Sequence, residues 1–246
     1  MTTVERTRRQ TDGGPSLGIL AVVFTALFLG GIVVSTAMAG GATFPSPFGS
    51  AAEILAYFQD HQDAVHVSAF LQFGAAVPLA IYTATASARL RNLGIRAPGA
   101  TIALAGGLLA AAMLALSAMF SWTLSRPEVL TEPAVVRALQ DLAFASGGAG
   151  HVVFLGLLVA GIAVPGLLAG LLPRAMAFAG LAIAVVAELS HLALLVPDTA
   201  ILLPVARFTA LAWLIATGFL LPRTRTNRAG ARRNRTTASM AEEGAA

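Results

Sequence analysis

The chain has no cysteine and no lysine among its 246 residues, and only 11% of them are charged. Without cysteine there is no disulfide, no thiolate nucleophile and no thiolate metal ligand. Soluble domains carry roughly 25% charged residues, so a water-soluble protein of this length could not cover its surface with so few. Walker, G-x-S-x-G, H-E-x-x-H and dinucleotide-binding patterns are missing as well, and nothing in the sequence names an enzymatic activity. What is abundant is apolar: 57% of residues are hydrophobic, and the mean hydropathy is +0.77. All sixteen basic residues are arginine, which with the heavy use of Ala, Gly and Val reads as high-GC genomic drift. The pI of 10.9 suggests nucleic acid until the arginines are located. They sit beside apolar runs, where anionic lipid is the nearer partner, and no nucleic-acid reading motif accompanies them.

A membrane-spanning helix needs about 20 apolar residues. Six stretches qualify: residues 17–39, 66–88, 100–122, 148–172, 175–196 and 203–221. Backbone polar groups in lipid must be satisfied within the segment, and the alternation of a β-barrel is absent. The expected fold is therefore an all-α, polytopic bundle of six spans. Arginine asymmetry orients it. One side receives Arg6, Arg8 and Arg9, then Arg89, Arg91 and Arg96, then Arg174, and finally the six arginines from Arg223 to Arg235. The other side holds Arg126, Arg137 and Arg207. Thirteen against three puts both termini in the cytoplasm. The expected organisation is a cytoplasmic tail over 1–16, a transmembrane domain over 17–221 and an Arg-rich cytoplasmic tail over 222–246, whose arginines would engage anionic inner-leaflet lipids. A bacterial plasma (inner) membrane is the natural location.

Residues 37–39 read Ala-Met-Ala, like a signal-peptidase site. The preceding apolar run is 23 residues long, however, where a signal peptide has about 7–15, so the segment reads as a retained span. Between the first two spans, Ser50 and Glu53 form a capping-box pattern, and Ile54, Leu55 and Phe58 then share a helical face. That predicts a short amphipathic helix, lying on the outer membrane surface or on the bundle. The next outer loop has Thr131 as a candidate cap and Pro133 for a first turn. Val135, Val136, Leu139 and Leu142 follow at helical spacing, and Gly147, Gly148 and Gly150 are expected to break that helix. Gly166 and Gly170 form a GxxxG, which reads as close helix packing within the chain or between copies. Pro78 and Pro165 are expected to kink their helices, and Trp122 and, loosely, Trp213 to sit in the interfacial aromatic belt.

The topology gathers the ionisable residues of the spans in the outer half: His66, His151, Glu188, His191 and Arg207, with Gln72 below His66. An acidic residue within a span costs up to about 2.5–3.5 kcal/mol on insertion scales, so Glu188 should be paired, protonated or facing water. Glu188 and His191 stand three apart on one helical face, and Arg207 follows after a short turn. One reading is a Glu188–Arg207 or Glu188–His191 pair pinning the last two spans together. A second is a polar path for a small solute or proton through Glu188 and His191. A third gathers His66, His151, His191 and Glu188 around a metal, or faces His151 and His191 across a haem; no cofactor is expected.

Three segments, "AAEILAYFQDH" before the second span, "RLRNLG" after it and the Gly-led fourth span, together resemble an uncharacterised family of small bacterial six-span membrane proteins. The likeness runs from about Leu17 to Leu221. That resemblance implies no activity and carries over no catalytic residue. Three function classes are therefore expected in order: a non-enzymatic membrane protein, acting as a homo-oligomer or with a membrane partner; a small-solute or proton-coupled transporter; and a metal or haem redox protein.

Overall fold

A computed structural model describes residues 14–224, and among them there is helix and no strand. Eight α-helices follow in order: α1 (Leu17–Met38), α2 (Ala51–Asp60), α3 (Gln62–Asn92), α4 (Gly99–Leu124), α5 (Pro133–Phe144), α6 (His151–Leu168), α7 (Arg174–Leu189) and α8 (Leu202–Leu220). Six helical runs are long and apolar enough to cross a membrane, so the chain is a polytopic helix bundle. The spans pack in chain order, α1 on α3, α3 on α4, α4 on α6, α6 on α7 and α7 on α8, and α8 closes the ring against α1. Residues Gly14, Arg89 and Arg223 line one pocket, so the described ends of the chain share one end of the bundle, the terminal end. The opposite, or loop, end carries α2 and α5.

Turns at the terminal end are short because glycine closes them. Gly94 and Gly170 hold φ of +84° and +63°. Each lets the next residue's N–H reach back to the helix, Ile95 to the Leu90 carbonyl at 3.1 Å and Leu171 to the Gly166 carbonyl at 2.9 Å. This double-bonded ending satisfies carbonyls that the helix leaves open. It also corrects the GxxxG reading. Gly170 is the turn residue that ends α6, with nothing within 4 Å of a Cβ placed on it, so within the chain the pair builds a cap and not a helix contact.

Close helix packing is supplied by other glycines. A Cβ on Gly161 would lie 2.7 Å from the Cα of Ala103, one on Gly106 2.7 Å from the backbone N of Leu158, and one on Gly218 2.8 Å from the Cα of Gly18. These contacts tie α4 to α6 and α8 to α1, all toward the terminal end. Around them lies the main core, with Phe24, Leu79, Tyr82, Leu155, Leu158, Ile162 and Leu214 buried. Polar groups inside it find backbone partners. The Tyr82 hydroxyl donates to Leu214 at 3.4 Å, Ser87 to Ala100 at 2.7 Å and the Trp213 N–H to Met176 at 2.8 Å. Trp213 is thus a core residue at 4% exposure, while Trp122 is 47% exposed at the loop end of α4, with the Arg126 guanidinium over its ring.

At the loop end the capping box forms as its sequence requires. Ser50 Oγ accepts from the Glu53 N–H, and the Glu53 carboxylate accepts from the Ser50 N–H, both at 3.2 Å. The Ser50 hydroxyl and backbone N–H hold the Glu53 carboxyl below its ordinary pKa. Helix α2 lies on the protein: Ile54 and Phe58 are buried with Val65, Leu124, Leu130 and Val136. Three expectations for the following loop are corrected. Thr131 is no cap, since its hydroxyl donates back to Glu128 at 2.9 Å and the helix begins at Pro133. Val135 and Leu142 are exposed, because α5 turns Val136, Gln140 and Ala143 inward instead. Finally, Gly147, Gly148 and Gly150 do not break the helix.

That third correction has a physical cause. The segment Ala145–Gly150 is a π-helical turn joining α5 to α6, so Pro133–Leu168 is one helical run of 36 residues. Each interior glycine costs about 1 kcal/mol relative to alanine, but an open break would strand backbone groups in apolar surroundings at several kcal/mol each. The missing side chains also let Ser117 of α4 press onto Gly147. At about 1.5 Å per residue the run is roughly 54 Å long, against a hydrocarbon thickness of about 30 Å, so α5 extends past the apolar layer. The fifth spanning run, Arg174–Leu194, has about the expected length, but its α-helix α7 ends at Leu189 and tightens into a 3₁₀ turn, Ser190–Leu194. A second such turn, Pro197–Ile201, leads into α8.

Candidate functional site

At the loop end, α1, α4, α8 and the π-helical turn border a cavity of about 390 Å³. Helix α1 contributes Phe28 and Ile32, four apart and so on one face. Helix α4 contributes Leu114, Ser117 and Ser121, again one stripe, and α3 contributes Gln72. The π-helical turn supplies Gly147 and Gly148, and α8 supplies Arg207. Residues 44–48 line it as a strap. Helix α5 holds that strap: Arg137 donates to the carbonyls of Gly49 at 3.1 Å and Pro47 at 2.8 Å, and Gln140 to that of Pro45 at 3.2 Å. Asp141 fixes the Arg137 guanidinium by an ion pair at 3.0 Å. Phe48 meets Phe144 edge-on with ring centroids 5.5 Å apart.

Arg207 is the charged group of this cavity. Its guanidinium lies 5.4 Å from the centre of the Phe28 ring and donates to the Gly147 carbonyl. Its Nε is buried without a partner. Among the described residues no carboxylate stands within ion-pairing distance of it; the two ion pairs present are Arg126–Glu128 and Arg137–Asp141. The same Phe28 ring stacks on His151, with centroids 6.3 Å apart and planes 17° from parallel. His151 is fully buried. Its Nδ1 donates to the Ala110 carbonyl at 2.9 Å, and its Nε2 has no partner.

Of the five ionisable residues singled out in the spans, the structure therefore brings two together, His151 and Arg207, on either contact of Phe28. The others lie elsewhere. Glu188 turns toward α6 at Gly156, and its Oε1 is buried without a partner. His191 is exposed, and its Nδ1 bonds the backbone carbonyl of Glu188, not the carboxylate. Carbonyls left open where α7 ends attract such a donor. Neither expected ion pair of Glu188 is present. His66 is exposed at the start of α3, with Nδ1 3.3 Å from the Ser125 hydroxyl. The three-histidine grouping is not assembled: among the described residues no three His, Asp or Glu side chains come together in a way that would hold a metal.

Phe28, Ser117, Ser121, Gln140 and the π-helical turn escaped the sequence reading. Two signals for them exist: Ser117 and Ser121 are polar residues four apart in an apolar run, and "SGGAG" is a glycine cluster adjoining one. Neither signal states which way the helix is rotated. No family model, curated protein or solved structure matches the chain.

Proposed function

We propose that this is a multi-pass protein of a bacterial plasma membrane, with both termini in the cytoplasm, that binds a small solute from the outer side in the Arg207 cavity. The carrying observation is the cavity itself, about 390 Å³ in volume and lined by one cation, four neutral polar side chains of the spans and α5, and apolar walls. That size and mixture suit a small-molecule site. The thirteen-to-three arginine asymmetry supports the orientation. It works by binding rather than by catalysis: no Asp, Glu, His or Cys lines the cavity, and the Ser117 hydroxyl is committed to the Ala143 carbonyl at 2.8 Å, so no nucleophile–base pair is present there. Arg207 takes over the role first assigned to Glu188 and His191, which do not line the cavity.

The cysteine-free sequence allows a direct test by single-cysteine labelling in intact cells with a membrane-impermeant maleimide. Ser46→Cys at the strap and Ser121→Cys in the cavity should label from outside. Asn92→Cys, at the terminal end of α3, should label only after permeabilisation. The reverse pattern would overturn the orientation, and an inert Ser121→Cys beside a reactive Ser46→Cys would overturn the water-accessible cavity.

A further inference from the structure

We infer that the ligand of this cavity is a small amphipathic oxyanion, a carboxylate or phosphate head on an apolar body, with its head on Arg207 and its body along Phe28 and Leu114. The inference rests on the solute-binding reading and names the class of solute. Three observations converge on it. First, the cavity contains a guanidinium and no acidic side chain, so its field is positive, and a low-dielectric wall strengthens that field. Second, Arg207 is incompletely satisfied. A guanidinium offers five N–H donors; one bond goes to Gly147, and Nε is buried with nothing to accept from it. A buried charge with open donors is costly, and the planar fork fits a two-oxygen head. Third, the walls beside it are apolar: Phe28, Ile32, Leu114 and Leu203. A bare inorganic anion would leave those walls wet, whereas an apolar body would cover them.

The head has two sources with the same chemistry, a free amphiphile from the aqueous side or the phosphate of an anionic lipid in the adjacent leaflet. His151 does not line the cavity; it stacks on Phe28 and so helps hold the ring that the guanidinium meets.

The test uses the full chain carrying Ser121→Cys, reconstituted in nanodiscs of zwitterionic lipid, with maleimide labelling of Cys at 121 as the readout. Hexyl phosphate and hexanoate should each slow labelling at least tenfold at saturation, while hexanol and hexyltrimethylammonium should not. Inorganic phosphate should need a concentration at least tenfold higher than hexyl phosphate. Arg207→Gln should remove the anion protection, and Arg207→Lys should restore part of it, since charge remains while the fork and the ring contact are lost. Exchanging the zwitterionic lipid for phosphatidylglycerol tells the sources apart. If lipid is the occupant, the exchange alone protects the cysteine and hexyl phosphate adds nothing; if a free solute is, hexyl phosphate protects in both lipids. Both results support an oxyanion. Equal protection by hexanol or by the cation, or no protection by any anion while the site labels freely, would overturn this inference and leave the outward-facing cavity standing. A site that does not label at all would sink the cavity first. Should Arg207→Gln fail to fold, the ranking of anion, neutral and cation on the unaltered Arg207 still decides.

Discussion

The two ends of the bundle are built on opposite plans from the same small residues. Toward the terminal end, Gly106, Gly161 and Gly218 bring helix backbones together, so that an added methyl would collide with main-chain atoms. Toward the loop end, Gly147 and Gly148 sit in a π-helical turn that borders an open cavity. Glycine in a straight helix removes bulk between two axes and draws them in. Gly147 in the π-helical turn also admits a neighbour, but that neighbour is the Ser117 side chain and not a helix backbone. The protein therefore has a tight base and a hollow top, with the hollow lined by the charged group that a close-packed apolar core would not tolerate.

The sharpest way to break this contrast is Gly161→Val. Its side chain would meet the Ala103 backbone, which cannot move aside as a flexible chain end can, and we expect a loss of about 3 kcal/mol or failure to assemble. Thermal unfolding in detergent would read it; an unchanged melting temperature would show that the base is not close-packed. Arg137→Ala comes next. It removes two strap hydrogen bonds and the Asp141 pair, roughly 2 kcal/mol in all, and the effect should stay local. Hydrogen exchange should quicken over residues 44–50 while α4 and α6 near the terminal end are unchanged. Gly30→Ala provides the control, since nothing lies within 4 Å of a Cβ there. It should be neutral or stabilising by up to about 1 kcal/mol, the opposite sign to Gly161→Val.

The smallest effect concerns α2. The Glu53 carboxyl is held below its ordinary value when folded, so its contribution is complete above that ordinary value and is lost as pH falls through the lowered one. Acidification should therefore fray α2, seen as lower protection of the Ile54 amide relative to its intrinsic exchange rate at each pH. Ser50→Ala should fray it at neutral pH and weaken the pH dependence, leaving only the part carried by the backbone N–H at position 50. A pH response undiminished in Ser50→Ala would place its cause elsewhere.

The candidate site shows where reading along the chain stops working. Glu188, His191 and Arg207 lie close in sequence, and a pair among them follows from spacing alone. In the fold, Arg207 points to the π-helical turn and Phe28, Glu188 to α6, and His191 back to its own helix end. The partners that matter for Arg207 come from residues 28 and 147, whose proximity depends on α8 closing the ring against α1. The GxxxG failed for a related reason: its second glycine stands past the helix end, and spacing does not tell a packing face from a cap.

The number of spans, the all-helical class and the α2 capping box were determined by the sequence itself, because each rests on local quantities: the apolar length needed to cross lipid, backbone groups that must bond within their own segment, and side chains four residues or fewer apart. Helix rotation, the continuous run through Gly147 and Gly148, and the cavity beside the strap were decided only by the tertiary structure. A near-uniformly apolar helix has no polar face to announce its orientation, so the packing of its neighbours chooses which of its residues turn inward.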